Sequence, residues 1–136
     1  MDIRTATTQG PGPRAAPGLL LRRPVPEDGP ALHDLVAACP PLDPNSRYCN
    51  LLQVSHFAAT AVVAEDAAGR LRGSVTGYLR PDAPDTWFVW QVAVAAPVRG
   101  QGLAARMFDA VLARAECAHV RWLETTVTPD NAASLA

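Results

Sequence analysis

The most informative stretch of the sequence is residues 87–117, which read WFVWQVAVAAPVRGQGLAARMFDAVLARAEC. Its first eight residues are almost continuously apolar, as expected of a central strand that is covered on both faces. Residues 99–102 (RGQG) form a glycine turn, and from Leu103 to Cys117 apolar residues recur at helical spacing. The stretch therefore predicts a strand, a glycine turn and an amphipathic helix in succession.

The glycine turn predicts a site for a phosphate-containing ligand. Glycine lets the backbone approach a ligand closely, and the free N–H groups at a helix start attract a phosphate or pyrophosphate. Gly100, Gly102 and Ala105 also satisfy the dinucleotide fingerprint, with Glu124 about 20 residues on, where that fold carries an acidic residue. The hairpin strands before the motif disfavour this alternative, and Arg99 before the first glycine suits a highly charged phosphate group.

The rest of the chain predicts a single α/β domain. Residues 1–18 are rich in Gly, Pro and Thr and predict a disordered tail. A strand at Leu19–Leu21 and two helices follow, the second with Tyr48, Leu51, Leu52 and Ser55 on one stripe. A hairpin of residues 60–64 and 71–79 precedes the central strand, and a strand at Val120–Val127 follows the helix. A last helix begins at about Thr128.

Composition excludes several functional classes. The 136 residues are 49% hydrophobic and carry a net charge of −1, so no basic surface indicates nucleic acid or an anionic membrane as a partner. The longest apolar stretch is too short to span a bilayer. Three cysteines without zinc spacing predict a reduced, cytoplasmic protein that needs no metal.

The central motif resembles the GCN5-related N-acetyltransferase (GNAT) superfamily, whose hallmark is Gln/Arg-x-x-Gly-x-Gly/Ala after an apolar strand; here it is Arg99, Gly102 and Ala104. The resemblance implies acetyl-CoA as cosubstrate, with the backbone of Val92 and Val94 binding its pantetheine arm. It implies a pyrophosphate cradle formed by Arg99, Gly100, Gln101, Gly102, Leu103 and Ala104. It also implies that Asn131 touches the cofactor and that the Val92 N–H polarises the acetyl carbonyl.

Three further segments resemble, more specifically, the diaminobutyrate acetyltransferases of ectoine biosynthesis. They are LDPNSRYCNLLQVSHF (residues 42–57), PDTWFVWQVAV (residues 84–94) and the closing residues 127–134. The resemblance implies direct transfer of an acetyl group from acetyl-CoA to the side-chain (N4) amine of L-2,4-diaminobutyrate. It implies an acceptor site formed by Asp43, Asn45, Tyr48 and Trp90.

Each acceptor residue also has a purely structural interpretation, and for Asn45 it is that Asn45 or Ser46 caps the second helix. Asp43 is equally ordinary in a turn, Tyr48 lies on the apolar stripe of its helix, and Trp90 alternates with Val92 and Val94 on the central strand as a core residue does. Glu124 is predicted to be a carboxylate on a buried strand, which acts as a base through water or, the favoured alternative, is paired with Arg121 or Arg72 at a surface. No functional role is predicted for the three histidines. The sequence shows no base near a cysteine, so catalysis by a cysteine nucleophile is not predicted.

The sequence thus predicts a GNAT-type α/β domain over residues 19–136, with a mixed, mostly antiparallel sheet flanked by helices. Relative to that family, the C-terminal strands are expected to be missing. The predicted ligands are acetyl-CoA and a small-molecule amine, without metal, nucleic acid or membrane. Three alternative functions stay open: a dinucleotide-binding oxidoreductase fragment, an acetyltransferase of another small amine and a non-catalytic acyl-CoA-binding module. A homodimer is also a possible assembly.

Overall fold

The computed structural model describes residues 18–126, in which helices and strands follow one another in the predicted order. They are β1 (Leu20–Arg22), α1 (Gly29–Ala37), α2 (Arg47–Val54), β2 (Val62–Glu65), β3 (Leu71–Arg80), β4 (Ala83–Val94), α3 (Leu103–Leu112) and β5 (Trp122–Thr125). The predicted tail, apart from Gly18, and the predicted helix with Asn131 lie outside the described residues.

The sheet has the order β1-β2-β3-β4-β5. The first three pairs are antiparallel, whereas β5 pairs with β4 in parallel. The predicted mixed, mostly antiparallel sheet is confirmed, and it differs from the doubly wound parallel sheet of dinucleotide-binding domains. β4 begins earlier than predicted, because Ala83 already pairs with Arg80 and shortens the expected loop to a tight turn.

Helices cover both faces of the sheet. On one face α3 buries Leu103, Met107 and Val111 against Trp87 and Val89 of β4. On the other face, α1 and α2 form a second core cluster whose members are Leu32, Leu35, Val36, Cys39, Val54, Val63, Leu71 and Ala93. The sheet is therefore the middle layer, and β4 contributes to both cores.

Two helices differ from the sequence prediction. The side chains that α2 buries belong to Asn50, Gln53 and Val54. Tyr48 is 68% exposed, so of its two interpretations core packing is wrong. Polar Asn50 is buried because protein groups satisfy its amide. α3 ends at Leu112 rather than Cys117, because Arg114 turns away to donate to the carbonyls of three residues before β2: Ala58, Ala59 and Ala61.

A β-bulge interrupts β4 at Trp90. Thr76 pairs with Gln91 and the adjacent Gly77 pairs with Val89, so Trp90 is an extra residue in β4. The bulge changes the alternation of side chains. Val92 packs towards α3, whereas the Trp90 ring contacts Phe88 on the opposite face. The prediction that Trp90 shares a face with Val92 is therefore wrong.

Gly77 permits the close approach of β3 and β4 beside this bulge. A Cβ on Gly77 would collide with the Phe88 carbonyl oxygen, which is backbone, whereas a Cβ on Gly73 would meet a methyl group at the end of the Leu103 side chain at 2.8 Å. We expect Gly77→Ala to lower the free energy of unfolding by about 3 kcal/mol and Gly73→Ala by about 1 kcal/mol. Urea denaturation of both variants measures the difference, and equal losses would contradict this account.

Candidate active site

The glycine turn has the geometry of an anion cradle. Gly100 and Gly102 both have φ +78°, and a Cβ at either position would have nothing within 4 Å, so the turn is open. Gly102 precedes the first residue of α3, whose first-turn N–H groups lack helical partners and carry the positive end of the helix dipole. The Arg99 Nε donates to the Val94 carbonyl at 2.9 Å, which holds the guanidinium beside the turn.

The edge of β4 that faces away from β3 offers backbone groups. The Ala95 N–H donates to the Arg72 carbonyl, so by the alternation of antiparallel pairing Val92 and Val94 direct their N–H and C=O groups away from β3. Within residues 18–126, β5 pairs with β4 only as far as Val89. Among residues 18–126, the Val92 groups and the Val94 N–H therefore have no strand partner on this edge and are available to an extended ligand. The Val94 carbonyl already accepts from Arg99.

Aromatic side chains line the opposite face of the sheet. Tyr78 stacks between Phe57 and Phe88, and Phe88 contacts Trp90, with ring centroids 5.4–6.5 Å apart. Trp90 is 41% exposed, and Tyr48 of α2 is exposed as well. This face, which we call the acceptor face, can therefore present aromatic surface to a small cationic ligand.

The loop of residues 43–46, here called the acceptor loop, is fixed by hydrogen bonds. The Asn45 N–H donates to Asp43 Oδ1 at 2.8 Å, and Ser46 Oγ caps α2 by accepting from the Cys49 N–H. Gln91 Nε2 donates to the Asp43 carbonyl at 2.6 Å. Asp43 is exposed, and among the described residues its Oδ2 has no partner.

A chain of side-chain amides continues from this loop into the fold. Asn45 Nδ2 donates to Gln91 Oε1 at 2.9 Å and to Asn50 Oδ1 at 3.0 Å. Asn50 Nδ2 contacts His33 Nδ1 at 2.8 Å and the Pro44 carbonyl at 3.2 Å. Gln91, Asn50 and His33 were not predicted to be site residues. The two amides Asn45 and Asn50, within and just after the D-P-N-S motif, were the available signal.

Glu124 differs from its prediction. Its side chain is 47% exposed and pairs with Arg80 at 3.1 Å, while Arg72 pairs with Asp66. The predicted burial and the predicted partners Arg121 and Arg72 are therefore wrong, whereas the predicted surface ion pair is present with Arg80 as its partner. The parallel register aligns Glu124 with Phe88, which places it on the acceptor face. The exposure follows from its position on β5, at the edge of the described sheet.

The cysteines are poorly suited to covalent catalysis. Burial raises the pKa of the Cys49 thiol, and burial likewise raises the pKa of the Cys117 thiol, which lowers the fraction of reactive thiolate. Within residues 18–126 no cluster of three or more His, Cys, Asp or Glu could hold a metal ion. None of the helices in the same range is long and apolar enough to cross a membrane.

The sequence matches a known family over most of its length. The model of the Acetyltransferase (GNAT) family matches residues 30–136. With the mixed sheet, the bulged β4 and the glycine turn before α3, this match defines a GNAT-type acetyltransferase. The predicted resemblance to that superfamily is confirmed.

Individual relatives show which group of acetyltransferases within the GNAT family the chain resembles. The chain is 53% identical over 126 residues to the L-2,4-diaminobutyric acid acetyltransferase of Methylotuvimicrobium alcaliphilum, covering 93% of this chain and 73% of the relative. It is 50% identical to that of Halomonas elongata, covering 90% of this chain and 64% of the relative. A solved diaminobutyrate acetyltransferase of Paenibacillus lautus, in complex with L-2,4-diaminobutyric acid and coenzyme A, superposes with a TM-score of 0.82 at 39% identity, covering 86% of this chain and 70% of that chain. The chain belongs to the L-2,4-diaminobutyric acid acetyltransferases of the GNAT family.

The exposed ion pair of Glu124 leads to a prediction about catalysis. Because solvent reaches this carboxylate, we expect Glu124→Gln to lower kcat less than about tenfold, against roughly 10²–10⁴-fold for loss of a general base. Steady-state kinetics measures the effect. Arg80→Gln is the matched control, since it removes the other half of the same ion pair. A hundredfold loss in Glu124→Gln alone would make Glu124 an indispensable base.

Proposed function

We propose that the protein transfers the acetyl group of acetyl-CoA to the N4 amine of L-2,4-diaminobutyrate, giving N4-acetyl-diaminobutyrate for ectoine synthesis. The observation that carries this proposal is the similarity to the Paenibacillus lautus enzyme, whose structure holds both diaminobutyric acid and coenzyme A. The curated relatives are longer than this chain, which covers 64–73% of the two compared above. The activity is therefore proposed for the protein as a whole.

Acetyl-CoA is proposed to lie along the edge of β4 that faces away from β3, beyond Val89, and to end in the glycine turn. The pantetheine arm would pair with the backbone of Val92 and with the Val94 N–H, as an added strand does. The pyrophosphate would lie over residues 99–104, where the open glycines, the Arg99 guanidinium and the start of α3 favour negative charge. Asn131, outside the described residues, remains a predicted cofactor contact.

The acceptor is proposed to bind on the acceptor face. The Asp43 carboxylate, exposed and with Oδ2 unpaired among the described residues, suits one ammonium group of diaminobutyrate. Tyr48 and Trp90 offer exposed aromatic surface to the cationic ligand. Asn45 uses both amide hydrogens within the protein, so its contribution to the acceptor site is to hold the loop.

The proposed reaction is a direct attack in a ternary complex. The N4 amine, like other alkylamines, has a pKa of about 10 in water and must first lose a proton. Its nitrogen then forms a bond to the acetyl carbon, the carbon–sulfur bond breaks and coenzyme A leaves as a thiolate, which takes up the second proton that the nitrogen loses as it becomes an amide. The Val92 N–H stabilises the carbonyl oxygen as negative charge develops. Glu124 receives the amine proton through water, a role that solvent shares because the carboxylate is exposed.

The proposed compartment is the cytoplasm. Cys39, Cys49 and Cys117 are all free thiols, and two of them are buried in the cores. Free thiols of this kind are typical of proteins that work in a reducing compartment.

The cofactor cradle can be tested at Gly102. Gly102→Val adds a side chain where the pyrophosphate is proposed to lie, so we expect the affinity for CoA in calorimetry to fall at least about tenfold. Gly69→Val is the matched control, because Gly69 has a similar φ of +84° in the hairpin turn between β2 and β3. Both variants carry the same kind of backbone strain. An equal loss of CoA affinity in both would refute the cradle.

The acceptor assignment can be tested at Asp43. Asp43→Asn removes the charge but keeps an oxygen that can accept from the Asn45 N–H, so the turn survives. Loss of a charged hydrogen bond worth about 1.5–3 kcal/mol should raise the KM for diaminobutyrate about 10–100-fold and leave that for acetyl-CoA nearly unchanged.

Release of the CoA thiol with diaminobutyrate present is the measurement. Unchanged kinetics in Asp43→Asn would show that Asp43 forms the turn and does not bind the acceptor. CoA binding by the parent protein without any thiol release would favour a non-catalytic acyl-CoA-binding module.

A further inference from the structure

We propose that Gln91 and Asn45 are positioning residues, which act together to fix Asp43 of the acceptor loop relative to Val92 of β4. The proposal rests on the proposed function, in which Asp43 binds the acceptor and Val92 faces the acetyl group. Neither amide needs to touch a substrate for this role. Both act through the acceptor loop.

The hydrogen bonds of this network have a single possible polarity. The backbone carbonyls of Asp43 and Pro44 can only accept, so Gln91 Nε2 and Asn50 Nδ2 must donate to them. The oxygens of these two amides must then accept, and Asn45 Nδ2 supplies one hydrogen to each. The same order makes His33 Nδ1 an acceptor. No amide can turn over without breaking at least two bonds.

The network connects the acceptor loop with the part of β4 around Val92 over a short distance. Gln91 directly follows the bulge and directly precedes Val92, so its side chain ties the loop to the part of β4 proposed to face the acetyl group. Asn45, which precedes Gln91 by 46 residues in the sequence, donates an Nδ2 hydrogen to the Gln91 side chain. Since errors of about 1 Å in the placement of reactants can cost 10²-fold in rate, this connection matters for transfer.

The burial of the three amides indicates that they hold the acceptor loop in place and are not merely hydrated surface groups. Asn50 is almost fully buried, and Gln91 and Asn45 are half-buried. Asn45 has φ +60°, a left-handed conformation that Asn tolerates better than most residues. The backbone conformation and the side-chain bonds of Asn45 therefore hold the same turn, the one that presents the Asp43 carboxylate.

The first experiment compares Gln91→Glu with the parent protein. The glutamate keeps the shape and can still accept from Asn45, but it cannot donate to the Asp43 carbonyl. We expect the KM for diaminobutyrate to rise about tenfold and the KM for acetyl-CoA to change less than about twofold. Gln53→Glu is the control, because Gln53 is a buried amide of α2 and no hydrogen bond among residues 18–126 joins its side chain to the acceptor loop. Parallel changes in both Michaelis constants would indicate a merely structural role and overturn the proposal.

The second experiment places Gln91→Glu in the Asp43→Asn background. If Gln91 acts through Asp43, the double variant should resemble Asp43→Asn alone in its KM for diaminobutyrate, because coupled residues are non-additive. Multiplication of the two single effects would show that Gln91 acts independently and would overturn the proposal.

A third measurement does not depend on turnover. Amide hydrogen exchange at Asn45, whose N–H donates to Asp43 Oδ1, should be about tenfold faster in Gln91→Glu than in the parent if Gln91 holds the loop. Unchanged exchange would overturn the proposal whatever the acceptor is. Absence of turnover with diaminobutyrate in the parent would instead refute the proposed function alone.

Discussion

The extra residue at Trp90 in β4 determines how the rest of the site is arranged. Up to Val89, β4 is paired on both edges, with β3 and with β5, and beyond the bulge the described pairing continues only with β3. The same insertion reverses the alternation of side chains, so that Trp90 and Gln91 both serve the acceptor face while Val92 turns towards α3. One inserted residue thus lies between the doubly paired part of β4 and the part that, within residues 18–126, pairs only with β3, and it brings Gln91 to the acceptor loop.

The bulge depends in turn on close packing around β3. Gly77 lies opposite it, where any side chain would displace the backbone of Phe88, and the Gly77 carbonyl is held by Thr60 Oγ1 at 2.7 Å. Gly73, four residues earlier, lets α3 pack directly onto the strand. α3 begins at the glycine turn, so its contact with β3 also sets the position of that turn relative to β4.

Features set by neighbouring residues could be predicted from the sequence, whereas features set by distant residues could not. The β2–β3 hairpin, the apolar β4, the glycine turn and the amphipathic α3 follow from spacing within short stretches, and the family resemblance extended this to the acceptor loop. Pattern analysis assigns polar residues to the outside of α2, but Asn50 is buried because α1 and the acceptor loop supply its partners. α3 stops early because Arg114 binds carbonyls more than 50 residues away. A bulge depends on the register of two strands, so the sequence of β4 alone cannot reveal it.

The polar network explains how an exposed carboxylate can still be placed accurately. Burying Asp43 would fix it but would penalise its charge unless a partner were buried with it. Here neutral amides hold the backbone of the loop in place. Gln91 donates a hydrogen bond to the Asp43 carbonyl, and Asn50 donates one to the Pro44 carbonyl. The carboxylate itself remains in water with one oxygen unpaired among the described residues. Its charge is therefore available to a cationic acceptor, and its position is set by β4, the strand that also presents Val92.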